Sequence, residues 1–196
     1  DELLRAKITY GDADIIFVTQ DGNAIRFNET DVRPMGRTAS GVKAISLREG
    51  DVAVCMDIAV EDEKLLVVSE NGYGKRTNLD EYKVQNRGGI GLITYKVSDK
   101  TGKVVGATVC KEDDELMLIN NQGVAIRINV SDISVTSRSA MGVKLMRTLE
   151  DEAVVTIAKI SGDTNEEEEE MTLLDESEDT NIIVEEVATE VKDEEN

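Results

Sequence analysis

The sequence predicts an all-β repeat protein of the propeller type, with four antiparallel strands in each repeat of about fifty residues. Three glycines, Gly22, Gly72 and Gly123, lie 50 and 51 residues apart, each preceded by Asp, Asn or Gln. Apolar runs of strand length flank each glycine, and helical periodicity is nearly absent before residue 161. A period of this length indicates a repeat architecture, and four antiparallel strands per repeat are typical of a propeller blade.

The first two strands of each repeat are predicted to form a hairpin. In the first repeat an apolar run at 15–18 precedes a turn in which glycine accepts the positive φ that tight hairpins require. The return strand 24–27 alternates, so that Ile25 and Phe27 share one face and Arg26 lies on the other. The equivalent strands of the other repeats are 65–68 with 75–77, and 116–119 with 125–128.

Two further strands complete each repeat. An acidic–apolar pair ends each hairpin, and an irregular loop that carries an arginine follows it. Residues 3–9 are also predicted as a strand, belonging to a repeat that precedes the chain. The third strands are predicted at 42–47, 92–97 and 143–148, and the fourth strands at 52–58, 104–110 and 153–160.

The repeats divide the chain into blades and a tail. Propellers have about four to eight blades, because a closed ring protects the edges of their sheets. Three repeats therefore predict the C-terminal part of a longer repeat domain, and an open or oligomerised three-blade arc is the alternative. Blades are predicted at about 11–60, 61–110 and 111–160, with 1–10 from a preceding blade and 161–196 as an acidic tail.

The negative charge is concentrated in the tail. Residues 161–196 carry a net charge of −15, whereas residues 1–160 carry −4. The low isoelectric point therefore does not exclude a nucleic acid as a partner of the body. The tail is predicted to be disordered. Its apolar stripe of Ile183, Val187 and Val191 could form a short helix, and we hypothesise that the tail competes with phosphate for the basic surface.

Several function classes are disfavoured. The chain has no histidine and no spacing typical of a catalytic triad or phosphate-binding loop, so neither catalysis nor a cofactor is expected. Acidic clusters at 61–63 and 112–115 are interpreted as solvated turns, with a metal site as the alternative. No apolar stretch is long enough to span a membrane. Cys55 and Cys110 are predicted to be buried, reduced thiols in a cytoplasmic protein.

Two sets of arginines recur in register with the repeat. The first occupies the polar face of the return strands and is predicted to be exposed on one side of the molecule. The second lies in the loops, four residues before a glycine that permits close approach to a ligand. A solvated face with acidic partners is the alternative for any one arginine, but a threefold set favours contact with DNA phosphates. The sets are Arg26, Arg76 and Arg127, and Arg37, Arg87 and Arg138.

The aromatic content favours duplex DNA over single strands. The chain has two Phe, four Tyr and no Trp, so it offers few rings on which unpaired bases could stack. We therefore predict that double-stranded DNA is bound through its backbone, with little base readout.

Three segments, at 21–43, 71–91 and 137–144, resemble the C-terminal domain of the DNA gyrase A protein, part of a bacterial type IIA topoisomerase. The resemblance covers residues 1–160, and the acidic tail is also familiar in that family. It implies the last three blades of a six-bladed β-pinwheel, in which neighbouring blades exchange a strand. It implies that DNA wraps around the rim while the whole enzyme introduces negative supercoils using ATP. The implied partners are the rest of the gyrase A protein and the gyrase B protein, in an A2B2 heterotetramer at the nucleoid.

One motif departs from the family's pattern. The wrapping box of the family reads Gln-Arg-Arg-Gly-Gly-Arg/Lys-Gly, and the closest match is 85–91, where Asn86 and Ile90 replace two basic residues. The resemblance therefore implies a degenerate box, a full box upstream, and weak wrapping by this chain alone. The residues predicted to contact DNA are Arg26, Arg33, Arg37, Lys43, Lys75, Arg76, Lys83, Arg87, Gly88, Gly89, Gly91, Arg127, Arg138 and Lys144.

Two other functions stay open at this point. One is that of the related topoisomerase IV protein, whose C-terminal domain guides the choice of substrate. The other is a protein-binding propeller without a DNA role, in which the tail is an interaction arm. The gyrase resemblance also implies that the DNA-breaking tyrosine and the ATP site lie in parts of the enzyme that this chain lacks.

Overall fold

The computed structural model describes residues 3–149 and 151–162. Over these residues the protein consists of three antiparallel sheets with short 3-10 turns and no α-helix, which confirms the all-β repeat prediction. No helix in this part of the chain has the length and apolarity that a membrane crossing requires. The predictions about the acidic tail, including the stripe that starts at Ile183, fall outside the described residues.

Each repeat contributes a hairpin and a further strand that pairs with the hairpin's first strand. The first sheet has the order β3-β1-β2-β6, the second β10-β5-β4-β7, and the third β11-β8-β9. The strands are β1 (Asp14–Thr19), β2 (Asn23–Asn28), β3 (Ala53–Ala59), β4 (Lys64–Ser69), β5 (Tyr73–Asn78), β6 (Leu92–Ile93), β7 (Val104–Cys110), β8 (Glu115–Asn120), β9 (Ala125–Asn129), β10 (Val143–Lys144) and β11 (Val154–Ile160).

A 3-10 turn ends each hairpin and fixes where the following loop begins. These turns cover Glu29–Asp31, Leu79–Glu81 and Val130–Asp132. The residue after the turn is buried in the second and third repeats, where Tyr82 is 1% exposed and Ile133 is fully buried. The acidic–apolar pair seen in the sequence is therefore an anchor: the acidic residue ends the turn, and the apolar residue enters the core.

Successive repeats are joined by exchange of a strand. Strand β6, from the second repeat, pairs with β2 of the first, and β10, from the third repeat, pairs with β5 of the second. The backbone N–H groups of Thr94 and Tyr95 both donate to the carbonyl of Gly22, at 2.8 and 3.1 Å. At the next junction Leu145 and Met146 donate to Gly72 with the same two distances. The exchange that the family resemblance implied is thus present at both junctions.

The predicted third strands are shorter than expected, and two predicted strands are absent. Residues 42–47 and 3–9 form no strand, which corrects both predictions. The physical reason for the first is the exchange itself. This segment pairs with the hairpin of the preceding repeat, and the described residues contain no hairpin before β1. For the same reason the third sheet has three strands, since no later repeat among the described residues supplies a fourth.

Strand β4 is buried on both faces because it belongs to the middle sheet. Leu65 and Val67 pack in a cluster with the first sheet, whereas Leu66 and Val68 pack in a cluster with the third. All four side chains have no exposed surface. The core between the sheets therefore explains why this strand is a continuous apolar run rather than an alternating one.

Both cysteines are buried and free, as the sequence predicted. Burial raises the pKa of each thiol to about 12, and the nearby carboxylate of Asp57 adds to this effect at Cys55. The thiolate is the reactive form, so these two side chains act as small apolar core residues.

Candidate nucleic-acid interface

A basic segment without carboxylates follows the 3-10 turn in every repeat. We define residues 33–48, 83–96 and 134–149 as the rim segments; together they contain ten basic and no acidic side chains. The acidic residues lie just outside them, so these positive charges have no partner of opposite sign within their own segment. The ten are Arg33, Arg37, Lys43, Arg48, Lys83, Arg87, Lys96, Arg138, Lys144 and Arg147.

Most of these charges face solvent. Eight of the ten residues are exposed, and Arg87 and Arg138 are half-buried. Among the described residues, the eight exposed ones form no ion pair, whereas Arg138 lies 4.0 Å from the carboxylate of Glu81. Unpaired, hydrated cations at a surface are the groups that bind phosphate without a competing carboxylate.

The first and second rim segments are in direct contact. Arg87 donates from Nε to the carbonyl of Asp31 at 3.0 Å and from Nη1 to the carbonyl of Lys43 at 3.1 Å. The N–H of Gly88 donates to Ala44 at 2.6 Å. These bonds hold the loop 85–91 of the second repeat against the basic loop of the first, so the two loops lie side by side.

The second and third rim segments meet in a related way. Arg138 donates from Nη1 to the carbonyl of Ile93 at 3.3 Å, and its backbone N–H donates to Glu81 Oε2 at 3.1 Å. Ile93 is the repeat equivalent of Lys43, so the loop arginine contacts the preceding repeat at the same position in both junctions. Arg87 and Arg138 therefore each join two repeats and still have N–H groups left for a ligand.

The strand arginines are not where the sequence predicted. Arg76 is 4% exposed, and the guanidinium of Arg26 is also mostly covered. Arg26 donates to Asp14 and to the carbonyl of Leu79, both at 2.9 Å. The predicted exposure of Arg26 and Arg76 is wrong, because the loop of the next repeat covers this face of the sheet. Arg127 is exposed as predicted, but its guanidinium forms an ion pair with Glu115.

Lys75 is also buried, contrary to its place among the predicted DNA contacts. Its side chain has no exposed surface, and Nζ donates to the carbonyls of Ser137 at 2.6 Å and Arg138 at 2.5 Å. Burial lowers the pKa of this amine to about 8; Glu81 opposes the shift and the charge of Arg138 adds to it. The amine faces the interior of the protein rather than a ligand.

Of the predicted lysines, Lys144 lies in a small cluster at a hairpin turn. Its Nζ donates to the carbonyl of Asn71 at 2.7 Å and lies 4.7 Å from the ring centre of Tyr73. Lys100 Nζ lies 5.6 Å from the same ring. Both amines therefore lie within cation–π distance of the half-buried ring of Tyr73. Arg33, Arg37, Lys43 and Lys83 are exposed, as the prediction requires.

Sequence reasoning missed Arg48, Lys96 and Arg147. They lie at or near the C-terminal ends of the rim segments, outside the repeated arginine register. The signal that would have found them is the absence of acidic residues over the whole of each segment, rather than the recurrence of one residue type.

Of the glycines of the partial box, Gly91 serves the fold rather than a ligand. A Cβ on Gly91 would lie 2.3 Å from the carbonyl oxygen of Ala24, so the close approach is to the protein's own β2. Gly88 and Gly89 lie farther from their neighbours, with a Cβ no closer than 3.6 Å to any atom. The expectation that these glycines admit a ligand is therefore wrong for Gly91.

The acidic cluster at 112–115 is engaged with cations of the protein. Glu112 accepts from Lys64 at 2.7 Å and from Arg76 at 2.6 Å, and these bonds lower the pKa of its carboxyl. Asp114 is 3% exposed and accepts from the N–H of Lys111 at 2.9 Å. Within residues 3–149 and 151–162, no cluster of three or more His, Cys, Asp or Glu side chains has metal-site geometry.

Comparison with known proteins adds independent information. The model of the DNA gyrase C-terminal domain, β-propeller family matches residues 13–54, 63–111 and 114–161, one match per repeat. The DNA gyrase A protein of Clostridium acetobutylicum is 59% identical over 170 residues, which is 87% of this chain and 20% of that protein. The DNA gyrase A protein of Staphylococcus aureus strain MRSA252 is 45% identical over 172 residues, 87% of this chain and 19% of that protein.

Solved structures show the same similarity. A DNA gyrase A C-terminal domain superposes with a TM-score of 0.72 at 34% identity, covering 78% of this chain and 52% of that one. The C-terminal domain of a DNA topoisomerase IV superposes with a TM-score of 0.73 at 26% identity, covering 78% and 48%. The chain thus spans about a fifth of the length of the curated relatives and about half of the solved domains.

Proposed function

This chain belongs to the family of DNA gyrase C-terminal domains, and we propose that its rim segments bind double-stranded DNA through the phosphate backbone. The observation that carries the proposal is the set of ten basic and no acidic side chains in the three rim segments. Each phosphate neutralised by a lysine or arginine releases condensed counterions, which favours binding and makes it depend on salt.

The burial of aromatic side chains supports a duplex rather than a single strand. Three of the six aromatic side chains, Phe27, Tyr82 and Tyr95, are 1% exposed and belong to the core. Single-strand binding relies on exposed rings that stack on successive bases. The exposed charged residues of the rim segments are all cations, which suit a continuous phosphate backbone.

In the whole protein we propose that this surface guides a DNA segment around the domain in support of ATP-dependent negative supercoiling. The proposed partners are the remainder of the gyrase A protein and the gyrase B protein, in the bacterial cytoplasm at the nucleoid. This chain is proposed as a non-catalytic part of that enzyme. Because Ile90, at a box position that is basic in the family, is 54% exposed and uncharged, wrapping by this chain alone is proposed to be weak.

The related topoisomerase IV protein is the second candidate, since its C-terminal domain superposes equally well. Among the solved structures, identity of 34% to the gyrase A domain against 26% to the topoisomerase IV domain favours gyrase, and the curated gyrase A proteins at 45–59% identity support the same choice. Substrate guidance without wrapping is the function that this second candidate would have.

The proposal is tested by titrating the 196-residue chain with a long DNA duplex at several salt concentrations. The triple variant Arg33→Ala, Arg37→Ala, Lys43→Ala removes three exposed charges from the first rim segment. It is expected to reduce the slope of log affinity against log salt by about 2–3, because each lost phosphate contact contributes about 0.9.

Arg127→Ala is the matched control, since it removes one exposed positive charge outside the rim segments. It is expected to leave affinity and slope within about twofold of the parent, because its charge is already paired with Glu115. Salt-insensitive binding, or a triple variant that binds like the parent, would reject DNA binding by the rim and favour a protein-binding propeller.

A further inference from the structure

Lys75 is a buried cation that the DNA surface does not use directly. It lies on β5 of the second repeat, with no exposed surface, and its Nζ donates to the carbonyls of Ser137 and Arg138 in the third rim segment. The amine also lies 5.9 Å from the ring centre of Tyr95. A buried ammonium is costly, so its bonds to two carbonyls of one loop need an explanation beyond packing.

Comparison of the repeats shows that the fold does not require a lysine here. The equivalent residues are Ile25 in the first repeat and Ile126 in the third. At the first junction Ile25 packs beside the box loop, 3.6 Å from the position of a Cβ on Gly89. An apolar side chain therefore supports the neighbouring loop at one junction, while a charged one does so at the other.

The two junctions hold their loops by different bonds. At the first junction, backbone bonds join residues 44–46 to Gly88 and Gly89. Within the described part of the chain, the backbone of residues 137–142 makes no such bond to residues 94–96. At the second junction the ammonium of Lys75 supplies hydrogen-bond donors instead, to the carbonyls of Ser137 and Arg138 in the third rim segment.

Arg138 is fixed from both sides of its peptide backbone. Its carbonyl accepts from Lys75, and its N–H donates to Glu81 at 3.1 Å. Its guanidinium reaches the carbonyl of Ile93 at 3.3 Å and remains half-buried. The direction of this side chain therefore depends on two charged residues, the buried Lys75 and the half-buried Glu81, which hold the backbone of Arg138.

We propose that Lys75 is a positioning residue, which fixes the loop at Ser137 and Arg138 so that Arg138 binds a DNA phosphate. The inference rests on the proposed DNA binding and deepens it, because it assigns part of the affinity to a residue without phosphate contact. Binding energy is lost when a charged side chain must be ordered at the moment of binding, and a preorganised loop avoids this loss.

The geometry also makes this part of the surface sensitive to pH. The pKa of Lys75 is lowered to about 8, first by burial, with Glu81 opposing and Arg138 reinforcing the shift. These two residues are the charged groups that act on the amine, and the ring of Tyr95 covers it. Above about pH 8 the amine loses its charge and one donor, so the bonds to the loop weaken. The chain has no histidine to titrate in this range.

The experiment is a double-mutant cycle on duplex binding by the 196-residue chain, with Lys75→Ile, Arg138→Ala and both together. Lys75→Ile installs the side chain of the first repeat, and Lys75→Met provides a second, unbranched replacement. Each single variant is expected to weaken binding about fivefold, the size of one charge-assisted contact. The double variant is expected to bind like Arg138→Ala, since both changes remove the same phosphate contact.

A pH series separates positioning from a general loss of structure. The affinity of the parent chain is expected to fall between about pH 7 and 9, and the affinities of both Lys75 variants are expected to stay flat apart from the small contribution of the α-amino group. Additive losses in the cycle would overturn the proposal, because Lys75 would then act independently of Arg138. The proposal would also be overturned if Lys75→Ile bound duplex DNA with the affinity of the parent chain while Arg138→Ala bound it more weakly.

Failure of the underlying function has a different signature. If the parent chain shows no salt-dependent duplex binding, the proposed function is overturned, and this inference with it. If either Lys75 variant fails to unfold cooperatively in urea, the pH series on the parent and on Arg138→Ala decides the question. Equal pH dependence in those two proteins would contradict the positioning role.

Discussion

At the scale of single residues, the same amino acid has opposite roles at equivalent positions of the repeat. Arg76 donates from Nε to the carbonyl of Ile133 at 2.7 Å and from Nη2 to Ser131 at 3.1 Å, and it pairs with Glu112. It is therefore a buried connector between the second and third repeats. Arg127 has no later loop over it among the described residues, and it remains a surface residue paired with Glu115.

Replacing Arg76 by alanine is expected to lower the free energy of unfolding by about 3 kcal/mol or more. The change leaves the carbonyls of Ile133 and Ser131 without their charged donor, removes one of the two cations paired with Glu112 and opens a cavity between repeats. Arg127→Ala is the matched control and is expected to cost less than about 1 kcal/mol, because an exposed ion pair stabilises little. Urea unfolding monitored by circular dichroism measures both, and equal losses would contradict the assignment of Arg76 as a connector.

At the scale of the secondary-structure elements, the hairpin turn accepts hydrogen bonds from the segment that follows the exchanged strand. The carbonyl of Gly72 accepts two N–H groups from the third repeat, at Leu145 and Met146. A Cβ on Gly72 would lie 2.2 Å from the carbonyl oxygen of Met146, a distance that no real contact allows. Glycine is required at this turn because of its φ of 71° and because another backbone lies against it.

Gly72→Ala is expected to destabilise the protein much more than Gly123→Ala. Both glycines have positive φ, 71° and 79°, so alanine is strained at either position by about 1 kcal/mol. Only at Gly72 does the added methyl group meet the backbone of a neighbouring repeat, since nothing lies within 4 Å of a Cβ on Gly123. Thermal unfolding of the two variants measures the difference, and equal midpoints would show that the strand exchange contributes little.

At the scale of the whole molecule, charge is separated along the sequence. The body carries −4, with its ten rim cations grouped on three segments, whereas residues 161–196 carry −15. A tethered polyanion competes with DNA phosphate at an effective concentration that a short linker raises to about the millimolar range. The charge pattern therefore predicts that the chain limits its own affinity for DNA.

Deletion of residues 161–196 is expected to tighten duplex binding, and most strongly at low salt. The reason is that screening is weakest there, with a Debye length of about 30 Å at 0.01 M against about 8 Å at 0.15 M. Mobility-shift titrations of the full and shortened chains at both salt concentrations measure the effect. A variant in which Glu166–Glu170 are replaced by glutamine keeps the length of the tail and removes five negative charges, so it separates the effect of charge from the effect of length. Equal affinities for full and shortened chains would reject competition by the tail.

The sequence by itself determined the repeat, its strands and the class of surface. The 50- and 51-residue spacings located the three hairpins, and the strand 104–110 was predicted at its observed bounds, Val104–Cys110. These features follow from local rules: glycine at turns with positive φ, and apolar runs of strand length. The loop arginines and the exposed Lys43, Lys83 and Lys144 were also predicted from the sequence, whereas the exposed Lys96 was missed.

Only the tertiary structure decided which basic residues are free to bind a ligand. Alternation along a strand shows that Arg76 and Arg127 point away from the apolar face, but not what covers that face. The loop of the next repeat covers Arg76 and Lys75. Among the described residues no such loop lies over Arg127, so its side chain is exposed. Likewise, residues 42–47 have the pattern of a strand, and only pairing with a preceding hairpin would make them one. Burial and pairing depend on the neighbouring repeat, and a pattern read within one repeat does not contain that information.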